Sequence, residues 1–367
     1  MDLITLSTNT NDLPEEWAIN DEVVRLREWG TDRAHPLFSD ARGPLTVGSM
    51  PTCSIPIDDK THRVSRKHAV LQRVQGKWGV LDQSKNGLYR DGAKLEKFVV
   101  TPGMMIGLGG GVTLVAESAR LITLRSALSR MLGWGAASLV AVDLALRAIR
   151  FAARRLGPLV LCGDDLVPLA EELHRLTLTA VRPFVSCNPR RSTSESAWDP
   201  TRCAQSGLAA LEAASKGTVC LVTKRLPSDW KSLIHAIHRP ECQTQLVVCS
   251  EGSQDAELFN TAPIIIPSLA SRKEEIERII DEYAADAAGE LRMGEYWLSP
   301  TERAWIRSRM PTLAAIQNAT LRLAAIQQAG SIPAGATLLN ISHQGMYKWL
   351  DTHGYPRAAG RWSPAGP

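Results

Sequence analysis

Between Glu22 and Ser118, apolar and polar residues alternate in short runs: "EVVRLREW", "PLTVGS", "SIPIDD", "KHAVLQRV", "KWGVLDQ", "NGLYRDG" and "KFVVTPGMMIGLGGGVTLVAES". Turn residues separate the runs at regular intervals, a pattern that predicts an all-β sandwich. From about residue 120 the period changes, and Leu121, Leu124, Leu128, Met131 and Leu132 follow helical spacing. Between 158 and 266 apolar runs such as "PLVLCG", "GTVCLVT" and "TQLVVCS" alternate with helical patterns, which predicts an α/β domain with a mostly parallel sheet. Beyond Pro267 the pattern is helical, with breaks at Pro300, Pro311 and Pro333. The expected organisation is multidomain: a sandwich over 1–118 with its core at 45–115, linker helices over 119–157, an α/β domain over 158–266, a helical lid over 267–311, a helix pair over 312–354 and a flexible tail over 355–367.

Composition narrows the class. The 367 residues are 44% hydrophobic and 22% charged, as expected of a soluble globular protein of two or three domains. A net charge of +4 does not by itself define a nucleic-acid binder. Its distribution is uneven, because residues 301–367 carry seven basic side chains against two acidic ones, a balance of +5. The seven cysteines form no CxxC pair and are odd in number, so neither a zinc site nor a disulfide framework is expected. No metal or cofactor is expected either, and a reducing cytoplasm fits best. The N-terminal "MDLITLSTNTNDLPEEW" lacks a basic region followed by an apolar run, so no secretory leader is expected. The most apolar stretch, 131–156, includes Asp143 and Arg147 and reads as an amphipathic helix rather than a membrane span.

Chemistry concentrates first in the sandwich. Gly48, Ser65-Arg66-x-His68, Asn86-Gly87, Pro102-Gly103 and Leu108-Gly109 occur in that order, and residues 45–115 resemble a forkhead-associated (FHA) domain over nearly its whole length. The resemblance implies capture of phosphothreonine by loops at one end of a β-scaffold. Ser65 would donate to the phosphate, Arg66 would supply charge, Asn86 would hold the peptide backbone and His68 would buttress the loop from within. The family carries Gly-Arg where this chain has Gly48-Ser49, so the usual first phosphate-side arginine is missing. A charge-assisted hydrogen bond is about twice as strong as a neutral one, so affinity is expected to be weak unless Arg66, Arg63 or Lys85 substitutes. On a purely structural reading, His68 is a satisfied core histidine and Asn86-Gly87 a hairpin turn.

The block 158–250 resembles the AAA+ domain of bacterial enhancer-binding proteins, the activators of sigma-54 RNA polymerase, through "PLVLCGDD", "LAEELHRLT", "RPFVSCNP", "LAALEAASKGTVCLV", "LPSDWKSLIHAI" and "TQLVVCSEG". The later "IPSLASRKEEIERII" extends the likeness, with Arg272, Glu275 and Ile276 in register. A working phosphate loop needs glycines, a Lys and a Ser/Thr. The stretch from Gly163 lacks the second glycine and the lysine, and sets Asp164 and Asp165 where a triphosphate would be repelled. Val222 and Thr223 stand where the family has Asp-Glu, and "PRRSTSESAWDPTRCAQSG" holds nothing like its sigma-54-contacting loop. An inactive core, neither an enzyme nor a sigma-54 remodeller, is the expectation.

At the C-terminus "PAGATLLNISHQGMYKWLDTHG" resembles the helix-turn-helix of Fis-type domains, with Ala336, Leu339, Ile341, Ser342, Met346, Tyr347 and Leu350 in its positions and Asn340 at the turn glycine. Ser342 is a good N-cap. Ile341, Met346 and Leu350 are expected to face inward and His343, Gln344, Gly345 and Lys348 outward, with Gln344 placed to read adenine and Lys348 to meet a phosphate. Together these resemblances imply a bacterial transcription regulator with a phosphothreonine-bearing protein and DNA as partners, acting as a homodimer or higher oligomer away from membranes. The alternative is a phosphopeptide-binding adaptor whose helical end only completes the fold.

Overall fold

Alternating runs become strands wherever turn chemistry closes them. In a computed structural model, which describes residues 22–38, 43–178, 182–189, 202–252, 257, 259, 261–294 and 296–356, the first unit opens with β1 (Val23–Glu28), β2 (Ala34–Pro36), β3 (Leu45–Gly48), β4 (Ile55–Pro56), β5 (Ala69–Val74) and β6 (Lys77–Asp82). It continues through β7 (Leu88–Arg90), β8 (Ala93–Lys94), β9 (Lys97–Val99), β10 (Met105–Leu108) and β11 (Val112–Ser118). Gln75 and Gly76, both at positive φ, form the two-residue turn that sets β5 against β6, a turn whose twist matches that of the strands. One sheet runs β2-β1-β11-β10-β7-β8 and the other β4-β3-β5-β6-β9. Leu26, Val47, Leu71, Trp78, Leu88 and Ile106 are buried in one core cluster drawn from both sheets, so alternate residues of each strand build the sandwich.

Two helices follow, α1 (Ala119–Leu132) and α2 (Ala136–Arg155). The stretch read as linker divides: residues up to Ser129 and Trp134–Arg154 group with the sandwich, while Arg130–Gly133 and everything from Arg155 form a second unit. What fastens α2 is electrostatic. Asp143 accepts from Arg27 Nη1 (3.0 Å), Arg27 Nη2 (2.5 Å) and the Gly30 amide (2.7 Å), all in its buried neighbourhood. Glu117 of β11 accepts from Arg25 and Arg27 Nε at 2.7 Å each, and Arg125 of α1 approaches Asp143 at 3.5 Å. Further along α2, Arg150 donates to the carbonyls of Pro102 and Gly103 at 2.7 Å each. Among the described residues no helix is long and apolar enough to cross a membrane.

The second unit contains a parallel sheet of β12 (Leu159–Cys162), β13 (Phe184–Cys187), β14 (Arg202–Ala204), β15 (Thr218–Val222), β16 (Gln245–Ser250) and β17 (Ile264–Ile265). Its helices among the described residues include α3 (Val167–Leu178), α4 (Gly207–Ala213) and α5 (Trp230–Ile237). β16 is buried at every position, as continuous apolar runs in a sheet covered on both faces should be. The strand order β14-β13-β15-β16-β12-β17 places the first strand between the fourth-from-edge and the last. Adjacent strands β12 and β16 therefore send their connections in opposite directions, which opens a crevice at their carboxyl ends.

Helical residues complete this unit: α6 (Ile276–Glu290), α7 (Pro300–Arg309), α8 (Leu313–Ala329), α9 (Ile332–Leu338) and α10 (His343–Thr352). Each start after α6 is marked in the sequence. Ser299, Thr312, Ser331 and Ser342 each accept from a backbone amide three residues on, and Ser299 with Glu302 forms a full capping box. Pro300 and Pro333 sit in first turns, where a missing N–H costs nothing. The loop sought between Asn188 and Leu208 and the tail over 355–367 lie largely outside the described residues.

Candidate functional site

Three loops at one end of the sandwich are tied together through one buried histidine. His68 accepts from the Ser65 amide at Nδ1 (3.0 Å), which leaves the proton on Nε2, 3.1 Å from the Gly87 carbonyl that receives it. Burial pushes this imidazole below its ordinary 6.5 and outweighs the opposing bond to Gly87 and the pull of Asp82 and Asp59. The loop after β3 is fixed to the same place, since Ser49 N donates to Ser65 O (3.1 Å) and Met50 N to Arg66 O (3.2 Å). Residue 48 must be glycine for that approach, because any Cβ there would strike the Arg66 carbonyl oxygen.

Ser65 is half-buried, and its Oγ accepts the Lys85 amide at 3.2 Å. The hydroxyl keeps its own proton to donate elsewhere. Asn86 is exposed and donates from Nδ2 to the Arg63 carbonyl at 2.7 Å, which holds its side chain between two loops. Asp59 turns the 59–64 loop on itself. Partial burial would raise its pKa, but the Thr61 hydroxyl and the amides of Val64, Thr61 and Arg63 outweigh that and lower it to about 2. Asp82 is similarly occupied by the amides of Ser84 (2.9 Å) and Leu88 (3.2 Å).

The mouth is therefore cationic at its surface. Arg63, Arg66, Lys67, Lys85 and Lys94 are all exposed, and none has a carboxylate partner within 4.0 Å among the described residues. Ser49 is exposed at the rim and brings no charge. The structure thus gathers Ser49, Ser65, Arg66, Lys85 and Asn86 at one surface with His68 beneath it. Two contributors escaped the sequence reading. Lys94 reaches across the β7–β8 hairpin to lie against Gly87, and Asp59 orders the loop that carries Arg63. Lys94 was legible only through the hairpin register, in which it faces Tyr89.

In the C-terminal helices Asn340 takes φ 56°, the left-handed conformation expected at the turn between α9 and α10. Met346 and Leu350 are fully buried with Ala336 and Ile326, and Ile341 packs beside them half-buried. Ser342, His343, Gln344, Gly345 and Lys348 are exposed. His343 Nε2 lies 3.1 Å from the Thr337 hydroxyl. Part of the charge excess of this segment is paired inside the unit: Arg303 faces Glu277 and Asp281 and Arg307 faces Glu277, while Arg322 lies over the Trp349 ring at 4.6 Å. The count of +5 overstates the field of α10, where Lys348 is the one lysine or arginine.

At the carboxyl ends of β12 and β16 the loops bring Asp164, Asp165 and Glu251 to the crevice. Thr312, the N-cap of α8, donates to Asp165 Oδ2 at 3.3 Å. Val222 ends β15 with Thr223 after it. Nothing in this set offers a phosphate a cation except Lys224, which is engaged with Glu251 at 3.0 Å. Among the described residues no cluster of His, Cys, Asp and Glu could hold a metal ion.

Comparison with known proteins bears on the first of these sites. The family model of the FHA domain matches residues 45–109. Among 86 matching chains of solved structure is the N-terminal FHA domain of Rad53p from S. cerevisiae in complex with a phosphothreonine peptide, at 22% identity and a TM-score of 0.23, covering 25% of this chain and 89% of that one. EmbR of Mycobacterium tuberculosis in complex with a low-affinity phosphopeptide matches at 20% identity and a TM-score of 0.23, covering 27% of this chain and 25% of that one. The Slr1951 protein of Synechocystis sp. matches at 28% identity and 0.22, covering 26% and 93%. No curated protein sequence matches. The loops tied by His68 thus stand at the mouth of an FHA domain formed by residues 45–109.

Proposed function

We propose that the chain reads phosphothreonine on a partner protein at the mouth formed by Ser65, Arg66, Lys85 and Asn86. The observation that carries this reading is the Ser65 hydroxyl: it accepts the Lys85 amide, keeps a proton to donate, and stands among exposed cations with no carboxylate partner among the described residues. A phosphate dianion needs donors and positive charge held in place beforehand, and His68 holds them. Ser49 supplies no guanidinium, so the dianion relies on Arg66 and Lys85 for charge. The Ser65 bond to a charged phosphate is worth about 1.5–3 kcal/mol and an Asn86 bond to neutral peptide backbone about 0.5–1.5 kcal/mol, so Ser65→Ala with Asn86→Ala should weaken binding of a phosphothreonine peptide by roughly thirtyfold or more while the fold persists. Fluorescence anisotropy with phosphorylated and unphosphorylated versions of one peptide measures this. Equal binding of the two versions by the unmutated protein would remove the proposal.

The geometry of α9 and α10 favours a second element of the same reading, a transcription regulator that binds DNA through α10. Its support is the left-handed Asn340 turn, the Ser342 cap and the exposed face of His343, Gln344 and Lys348. The α/β core, with carboxylates in its crevice, then serves as an oligomer scaffold rather than an ATPase. With one lysine on the helix face, electrostatic attraction is small and the log–log salt slope should be about −1 per chain, so base contacts and oligomerisation must supply the remainder. His343→Ala, Gln344→Ala and Lys348→Ala combined should abolish sequence-selective binding in a salt titration of genomic fragments. Selective binding that survives the triple substitution would move the DNA site elsewhere, and no binding at low salt would leave the adaptor reading.

A further inference from the structure

We propose that the outward face of α2 pairs with the same face of a second copy of this chain, as an antiparallel helix pair centred on Leu144. The inference is independent of the phosphothreonine and DNA readings and stands on the packing of one helix.

α2 is apolar on two sides. Val142, Ala145, Leu146 and Ile149 are buried, on the side from which Asp143 and Arg150 reach the sandwich. On the other side Val140, Leu144 and Phe151 are exposed to 45%, 53% and 56%, and Ala137 and Ala148 are exposed in line with them. No other described helix or strand exposes more than one large apolar side chain. A surface helix ordinarily turns polar residues outward, and a contiguous exposed apolar stripe marks an interaction site. From 137 to 151 the stripe is about 21 Å long. Membrane insertion does not account for it, since α2 is not apolar enough to cross a bilayer.

The spacing of the stripe points to its occupant. Positions 137, 140, 144, 148 and 151 step by 3, 4, 4 and 3, an order that reads the same in both directions. A second copy running antiparallel therefore meets the first in register about a two-fold axis at Leu144, as an isologous contact requires. Sizes then match: Phe151 faces the partner's Ala137, Val140 faces the partner's Ala148, and Leu144 faces its own counterpart. Large side chains away from the axis thus fill the gaps that small ones leave, whereas a parallel pair would set Phe151 against Phe151 and Ala137 against Ala137. Charge agrees. Arg147 is the one charged residue exposed between 137 and 151, and Asp143, the one acidic residue of α2, is buried on the opposite face. Parallel copies would bring the two Arg147 guanidinium groups together; antiparallel copies lay each beside the partner's Ala141 and set the helix dipoles head to tail. A single stripe of this length falls short of the roughly 1,600 Å² of a typical stable interface, so the pair should separate on dilution.

The test uses the full chain, without peptide or DNA, in sedimentation velocity from micromolar to millimolar concentration. Unmutated protein should self-associate as concentration rises. Leu144→Glu, an exposed position where a good helix former replaces another, should raise the dissociation constant at least tenfold, because two carboxylates then meet at the two-fold axis. Cysteine cross-linking under mild oxidation reads the register against the unmutated protein, which carries cysteines of its own. Leu144→Cys should give a covalent dimer, Ala137→Cys should add nothing, and Ala137→Cys combined with Phe151→Cys should restore the cross-link. A monomer at every concentration overturns the proposal, as does association that Leu144→Glu leaves unchanged. Cross-linking through Ala137→Cys alone as readily as through Leu144→Cys overturns the antiparallel register.

Discussion

Replacing Asp143 by alanine should cost the first unit about 3–5 kcal/mol, the range for removing one partner from a buried ion pair. Arg27 is buried to 1% exposure and gives two of its bonds to this carboxylate. Without Asp143 its guanidinium keeps only part of its partners, the Gly30 amide loses its acceptor, and Arg125 loses a neighbour in the same pocket. Asp143→Asn should cost less, since an amide oxygen still accepts from Gly30, but it leaves Arg27 with Glu117 and Arg125 with Asp32 as their carboxylate partners among the described residues. Amide hydrogen exchange in full-length protein checks this by segment: β1 and α2 should lose protection together while β12 to β16 keep theirs. Joint protection that survives Asp143→Ala would mean that α2 is held by its apolar contacts and not by the network.

His68→Ala should be the most damaging change at the mouth, although this side chain lies beneath the surface that meets the ligand. It orphans the Ser65 amide at about 1–3 kcal/mol and takes one of two donors from the Gly87 carbonyl, which keeps the Gly109 amide, and both groups lie in the loops that shape the mouth. Phosphopeptide affinity should fall at least tenfold with stability. Acid should reproduce the effect. The folded pKa of His68 lies below 6.5, so the unfolded chain binds more protons in the window between the two values, and stability declines as pH falls through it. Above 6.5 both states hold a neutral ring and the contribution is constant. Protonation of Nδ1 also destroys the acceptor for the Ser65 amide. A thermal melt of the first unit between pH 8 and 5, with His68→Gln as the comparison, should show the decline in the unmutated protein and a flatter profile in the variant. A profile unchanged by the substitution would assign the acid sensitivity to other groups.

These two residues mark what the sequence could and could not disclose. Short-range signals were readable: strand alternation, the Ser342 cap and the Asn340 turn all depend on neighbours a few positions away. The order of the loop residues 65, 66, 68, 86 and 87 was readable for the same reason. Asp143 was visible only as a charge in an apolar stretch, because its partner Arg27 is 116 positions distant and no local pattern links them. The C-terminal charge count could not disclose the pairing of Arg303 and Arg307 with Glu277 and Asp281, which depends on how α6 and α7 pack. Lys94 needed a hairpin register before it could be placed beside Gly87.

The deep ionisation of Asp59 has a consequence for signalling. A carboxylate that titrates at about 2 keeps its charge at every cellular pH, so Asp59 supplies no proton dependence. The phosphate responds to mild acid, since its second ionisation lies near 6, and His68, which burial keeps neutral to lower pH, responds after it. As pH falls the ligand loses charge, the histidine gains it further down and loosens the Ser65 loop, and both changes release the partner. Recognition in this chain would then behave as a coincidence detector, closed only when a phosphate has been added and the surroundings are not acid.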